Sequence, residues 1–366
     1  MAAADAQHIL RIPTIPNAPL LSAQQETTYG ELQLRRNKAL HFLENAAYDP
    51  ALTTYDATYQ NNQSHSGAFR AHMASVVDIF RTHFPRGSMV VEVGCGKGDF
   101  IDLLEEDGYF SARGFDTTYE GNSAKIEKRY LNADDRIEAD VVVMRHVLEY
   151  IPRPYEFLKM FKQIFGACHI YIELPNFDWI VDNGSYFDIT YERVNYFTQA
   201  SLAKLFSERP IAAGQCFDGQ YQYVLADLND LSEEFDAHYR REDEWETLDF
   251  YTLFPTLASK IAAIAQRLVP ERRAYVWGAS TKGCMFLYHY LLCNKTLAGL
   301  DFAIDINPQK TGKYLPGSMV PIRNEQFFFD HATAGDLLII TNPNYQREIL
   351  EELARRGLSG IETITL

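Results

Sequence analysis

The chain has 366 residues, long enough for two domains with separate cores. Its 34 Lys plus Arg against 49 Asp plus Glu leave a formal charge of -15, which excludes long-range attraction to nucleic acid or an anionic membrane surface. A composition that is 46% hydrophobic and 13% aromatic is globular rather than disordered, and no run approaches the roughly 20 apolar residues that span a bilayer.

The start, "MAAADAQHIL", lacks the basic-then-apolar order of a secretory leader. Cys95, Cys168, Cys216, Cys284 and Cys293 stand singly, without a CxxC pair or a ligand-like cluster with histidine. Reduced thiols, a cytoplasmic location and no metal are the expectation. The expected partner is a small molecule, with the protein a monomer or homodimer.

In chain order, residues 1–85 read as a helical lead-in or lid. "YGELQLRRNKALHFLENA" and "SGAFRAHMASVVDIFRTHF" carry apolar positions at helical spacing, joined by the tyrosine-bearing connector "YDPALTTYDATYQNNQSHS". His72 falls on the apolar face of the second segment and is expected to pack. Over residues 86–230, the short apolar runs "MVVEV", "ARGFD", "ADVVVMRH" and "CHIYIELP" alternate with helical stretches, which predicts an α/β fold with a parallel sheet covered on both faces. "QCFDGQYQYVLADL" has strand composition and is placed as an antiparallel edge. Residues 231–270, including "LASKIAAIAQRLV", read as a helical bridge. The strand-turn-helix pattern then resumes over 271–366 as a second Rossmann-like α/β domain.

"MVVEVGCGKGDFID" asks for a ligand. A strand runs into Glu92-x-Gly94-x-Gly96-x-Gly98 and directly into a helix, so the backbone of the turn can be approached closely and the helix offers free N–H groups. A dinucleotide pyrophosphate uses that end through GxGxxG. Here the spacing is GxGxG, with an acid two residues earlier and a second acid, Asp116, closing the next strand.

This pattern resembles the first motif of class I S-adenosylmethionine-dependent methyltransferases. The resemblance implies that Glu92, Gly94, Gly96 and Gly98 lie against the cofactor, and that the Asp116 carboxylate accepts both ribose hydroxyls. The third strand and its exit, "ADVVVMRHVLEYIPRPYEFL", resemble that family's "hvLEH" segment. Arg145 and His146 are therefore expected at the cofactor's methionine end, beside the substrate cleft.

A closer resemblance covers most of residues 55–366. "IELPNFDWIV", "YFDITYERVNYFTQASL", "VWGASTKGCMFL", "IDINPQKTGKYLPGSMVPI" and "TNPNYQREI" are similar to segments of the nucleotide-sugar C-methyltransferases that build branched deoxysugars. In that family a methyltransferase core is followed by a Rossmann-like domain with "yGaxxKG" and "D-x-NPxKxGxxxPG" runs. The likeness implies that Tyr55, Tyr59 and Ser64 close the methionine end of the cofactor, and that Asn176, Lys282 and Lys313 face the substrate, the lysines near phosphate or carboxylate.

Two departures stand out. There is no cysteine before Cys95, so the family's zinc module is absent or replaced by helices. Where the family reads Glu-His before its aromatic pair, this chain reads Glu192-Arg193. That histidine is the family's expected general base, and arginine stays protonated. Tyr191, Glu192 and His146 are the alternative bases, while Arg193 either orients an anionic acceptor or forms an ion pair with a neighbour. The acceptor atom, carbon, nitrogen or oxygen, stays open.

The second glycine turn, "AYVWGASTKG" followed by "FAIDIN", brings Gly278, Gly283 and Asp305 close to the dinucleotide fingerprint. It supports a competing reading as an NAD-dependent oxidoreductase. Against it, Ser280 replaces the middle glycine and Lys282 sits in the turn. A third reading is a non-catalytic binding protein with a methyltransferase fold.

Overall fold

The computed structural model describes residues 9–55, 58–60, 63 and 65–366. The chain begins with strands: β1 (Leu10–Pro13), β2 (Tyr29–Leu32), β3 (Leu34–Asn37) and β4 (Phe42–Asn45). This corrects the helical expectation for "YGELQLRRNKALHFLENA". The cause is tertiary, because β3 and β4 pair with each other and with short strands more than 100 residues away. Helix α1 (Gly67–His83) forms as expected, capped by the Ser66 side chain on the Phe69 N–H.

The first α/β unit follows: β5 (Met89–Val93), α2 (Asp99–Asp107), β6 (Ser111–Phe115), β7 (Ile126–Glu127), β8 (Val141–Arg145), α3 (Pro154–Phe165), β9 (His169–Pro175) and α4 (Phe177–Asp182). After β10 (Asn195–Tyr196) and α5 (Gln199–Ala203) come β11 (Ala212–Cys216) and β12 (Tyr221–Asp227). The sheet order is β11-β12-β9-β8-β5-β6-β7. Its core strands are parallel, and β11 and β12 form the expected antiparallel edge. Val142, Met144, Ile170 and Ile172 pack one face, and Val90, Val141, Val143 and Tyr171 the other, so burial on both sides accounts for the nearly continuous apolar runs.

The expected helical bridge contains α6 (Glu233–Tyr239), α7 (Phe250–Leu253) and α8 (Leu257–Ala265), but also the strand β13 (Trp245–Thr247). β13 completes a small antiparallel sheet in the order β10-β4-β3-β13. The second α/β unit comprises β14 (Ala274–Trp277), α9 (Thr281–Asn294), β15 (Leu300–Ile304), β16 (Ile322–Arg323), α10 (Glu325–His331), β17 (Leu337–Ile340), α11 (Gln346–Arg355) and β18 (Glu362–Thr365). Its five strands, β16-β15-β14-β17-β18, are all parallel.

One core cluster joins Ile12, Leu32 and Leu43 of the N-terminal strands to Ile261 of α8 and to Met285, Phe286 and Leu287 of α9. The N-terminal strands are therefore a strap across both units rather than a separate lid. No helix among the described residues is long and apolar enough to cross a membrane.

Candidate active site

In each sheet the first strand has its successor on one side and a later strand on the other, and such a switch point leaves a crevice at the carboxyl ends. In the first unit it lies between β5 and β8, in the second between β14 and β17. Each opens on a cavity.

The first cavity, ≈ 300 Å³, receives Glu92, Gly94 and Gly96 from the end of β5, Asp116 from β6, and Arg145, His146, Val147 and Tyr150 from β8, under Tyr55, Tyr59 and Gln63. Gly94, Gly96 and Gly98 all have positive φ (79°, 58° and 90°), the backbone that a side chain disfavours. A Cβ on Gly94 would lie 2.4 Å from Val147 Cγ2. Gly98 caps α2 rather than lining the cavity, and a Cβ there would meet Ile126. Asp116 is pinned by the Gly96 N–H (2.8 Å) and the Thr118 N–H (2.6 Å), which fixes its carboxylate at the mouth.

Beneath this cavity lies a buried ionic cluster. Arg145 Nε is 3.4 Å from Glu173 Oε1, and its Nη1 is 3.8 Å from Glu92. Glu173 also accepts from the Tyr171 hydroxyl (2.9 Å) and meets His72 Nε2 at 2.9 Å. Burial opposes charge on Glu173, but Arg145, then His146 and His72, outweigh it and hold its pKa well below the usual carboxylate range. Glu92 is less compensated: burial, only partly countered by Arg145, pushes it up to about 7. Its Oε2 has no partner among the described residues, so the first cavity has an unsatisfied acceptor beneath it. His72, Glu173 and Cys216 lie close enough to share an ion. The Arg145 guanidinium already supplies the cation there.

His146 leaves β8 with φ 56°, a backbone that costs a non-glycine residue about 1–2 kcal/mol. Its ring nitrogens lie 3.5 Å from Glu149 and 3.5 Å from Glu173, and Nε2 is buried without a hydrogen-bond partner. Burial disfavours the charged ring, yet the two carboxylates prevail and raise its pKa above the ordinary value.

The second cavity, ≈ 460 Å³, lies between the two α/β units. Tyr150, Trp179, Asp188, Arg193 and Tyr221 form one wall; Trp277, Gly278, Lys282, Asp305, Lys310 and Asn342 are among those forming the other. Lys282, at the start of α9, crosses to the Asp188 carboxylate, over the rings of Trp179 and Phe187. Burial lowers its pKa despite Asp188. Arg193 Nη1 donates to the Asp188 carbonyl at 2.9 Å. Direct bonds brace the units: Ser66 Oγ donates to Glu348 (3.0 Å), Tyr345 Oη to Gln63 (2.8 Å), and Gln220 Nε2 to Asn342 (2.7 Å).

Among the described residues, three line both cavities: Gln63, His146 and Tyr150. A group held in the first cavity therefore reaches one held in the second between these side chains.

A family profile described as a methyltransferase domain matches residues 66–209, and one described as a C-methyltransferase C-terminal domain matches residues 228–365. The chain carries both domains of a methyltransferase, and S-adenosylmethionine-dependent methyl transfer is its activity. It is similar to the C-methyltransferase NovU of Streptomyces niveus, 22% identical over 329 residues that cover 80% of this chain and 76% of the relative. Among solved structures it is similar to the magnesium protoporphyrin IX methyltransferase of Synechocystis with bound S-adenosylhomocysteine. That match is 17% identical, with a TM-score of 0.35, and covers 46% of this chain and 88% of the other. It is also similar to an S-adenosylmethionine-dependent methyltransferase of Aquifex aeolicus: 12% identical, TM-score 0.32, 46% of this chain and 100% of the other.

The methyltransferase's first cavity fits its cofactor on its own residues. The Asp116 carboxylate suits a ribose diol, the glycine turn leaves room for close approach, and the unpartnered Glu92 oxygen beneath suits a positively charged methionine end. Of the residues expected there, Glu92, Gly94, Gly96, Asp116, Arg145, His146 and Tyr59 are brought together, and Ser64 lies outside the described residues.

Four expectations need correction or relocation. The Tyr191 hydroxyl is spent on the backbone of Asp49, and its ring packs over Gly30, so it faces the strap and not a cavity. Asn176 caps α4 and donates to the Gly219 carbonyl. Lys313 lies outside the cavity; the lysine of that segment that lines it is Lys310, ion-paired with Asp305 at 3.0 Å. Glu192 is buried behind Tyr55, whose hydroxyl donates to it at 3.3 Å, and burial pushes its pKa up to about 8.

Sequence reasoning missed Tyr150, Gln63 and Tyr130. Tyr150 had a signal, since it stands where the quoted "hvLEH" ends in histidine. Tyr130 sits 74% exposed at the mouth of the first cavity, where a flat ring is free to cover a nucleobase.

Proposed function

We propose that this enzyme methylates carbon beside a carbonyl in a small, nucleotide-linked keto sugar. The observation that carries the reading is the meeting of two cavities at Gln63, His146 and Tyr150, one fitted to the methyl donor and the other opening on the C-terminal unit. The rings of Trp277 and Phe329 line the far side of the second cavity, a surface suited to stacking a base, with Arg355 and Arg356 beside them sharing Glu352.

The bound cofactor supplies an electrophilic methyl group on a sulfonium. His146 is the proton acceptor: the acceptor's C–H bond breaks toward the imidazole, whose affinity for the proton is increased by Glu149 and Glu173. The pair left on carbon would form the new carbon–methyl bond as the methyl–sulfur bond breaks, the sulfur leaving as a neutral thioether. Gln63 and Tyr150 frame the passage and limit its water.

The nicotinamide alternative is opposed at the second glycine turn. Asn17 of the strap accepts from Ser280 Oγ (2.6 Å) and donates to Thr281 Oγ1 (2.6 Å), covering the helix end that a pyrophosphate would use. Calorimetric titration with S-adenosylhomocysteine and, separately, NADH tests the choice: the first binds and the second does not. Methyl transfer is then assayed on nucleotide-linked 4-keto sugars, amines and hydroxy acids. Transfer to an amine or hydroxy acid alone would reject the keto-sugar assignment.

A further inference from the structure

The two positions at which this chain departs from a histidine of the methyltransferase and sugar-enzyme motifs line the same cavity. Tyr150 ends the segment that resembles "hvLEH", Arg193 follows Glu192, and the Arg193 charge acts on the Tyr150 hydroxyl across the cavity that both line. Both line the interdomain cavity, and Tyr150 also borders the methyl-donor cavity.

The donors of Arg193 are not all spent. Its side chain is 13% exposed, Nη1 serves the Asp188 carbonyl, and Nε is buried without a partner among the described residues. Asp188 does not neutralise Arg193 alone, because its carboxylate is shared with Lys282. Burial raises the Tyr150 pKa despite Arg193, so the phenol stays a neutral donor at physiological pH. Arginine keeps its proton as well. Two donors with nothing to accept a proton make a poor base and a good cradle for negative charge.

We infer that Tyr150 and Arg193 form an oxyanion-binding pair, which holds the acceptor's carbonyl oxygen as it gains negative charge. The inference rests on the keto-acceptor reading above and adds to it. The exchange of histidine for tyrosine and arginine shifts this corner from proton transfer to charge stabilisation, leaving proton removal to His146. Fixed donors in a water-poor site stabilise developing charge without reorganising.

An oxyanion probe tests the pair without knowledge of the acceptor. p-Nitrophenol is titrated into enzyme saturated with S-adenosylhomocysteine, and the absorbance of its phenolate is followed against pH. The wild type is expected to bind the phenolate form and lower the probe's apparent pKa by about 1 unit or more, as a neighbouring cation does. Tyr150→Phe and Arg193→Gln should each reduce that shift, and Arg193→Lys should retain part of it. Circular dichroism spectra and urea midpoints close to those of the wild type confirm that the variants are folded. An unshifted probe in the wild type, or the same shift in Tyr150→Phe and Arg193→Gln, overturns the pair. Failure of the acceptor assignment would look different: phenolate binding as expected, with no methyl transfer to any keto sugar.

Discussion

After Val93 the chain turns through Gly94, Gly96 and Gly98 into α2; after Trp277 it turns through Gly278 into α9, again with an acid closing the following strand. The local pattern is the same, but the surroundings differ. At the first turn no described residue lies within 4 Å of where a Gly96 side chain would start, and the Asp116 carboxylate is held at the mouth of the cavity by backbone N–H groups. At the second, Gly283 packs on the Gly278 carbonyl, Asn17 covers Ser280 and Thr281, and the Asp305 carboxylate is paired with Lys310. A glycine turn admits a cofactor when its polar groups are left for one. When the protein's own side chains satisfy them, the same turn becomes a wall.

The difference is sharpest at the two acids. Asp305→Ala leaves the buried Lys310 ammonium unpaired and should cost about 3–5 kcal/mol of stability in denaturant unfolding. Its affinity for S-adenosylhomocysteine should not change. Asp116→Ala should do the reverse, weakening that affinity by about 1.5–3 kcal/mol in calorimetry, the worth of a hydrogen bond to a charged group. Equal effects of the two substitutions on cofactor affinity would remove the distinction between the turns.

Smaller effects refine it. Gly96→Ala places a methyl group in open cavity space on a left-handed backbone. It should lose about 1–2 kcal/mol of stability by chemical denaturation and also weaken cofactor binding. Asn17→Ala should cost about 1 kcal/mol, because it removes hydrogen bonds at a partly buried site. It also uncovers the α9 N-terminus, so any gain of NADH binding, read by fluorescence, would show that the strap is what excludes a dinucleotide.

Much of the cofactor site was legible because it is local. Glu92, the three glycines and Asp116 belong to one strand-turn-helix-strand unit, and their roles follow from the geometry of that unit. The N-terminal strands were not legible. β4 pairs with β10 and β3 with β13, so the groups that satisfy their backbone lie far along the chain, and the isolated segment carries only an ambiguous apolar spacing. In "TYERV", composition gives no means of telling Tyr191, turned to Asp49, from Arg193, turned to the cavity. Likewise Lys310 and Lys313 lie three residues apart, and only the 3-10 turn at Pro308–Lys310 brings the first to Asp305.

Short-range order along the chain was enough to assign the methyl donor and the two α/β units, since each rests on hydrogen-bond and burial patterns that close within a few tens of residues. Where the donor meets its acceptor could not be read that way. Gln63, His146 and Tyr150 converge with Arg193 and Lys282 from four separate segments, and their meeting depends on how two sheets and a strap pack together. Packing of that kind is a property of the assembled core, because the burial that drives it does not exist until distant segments are in contact.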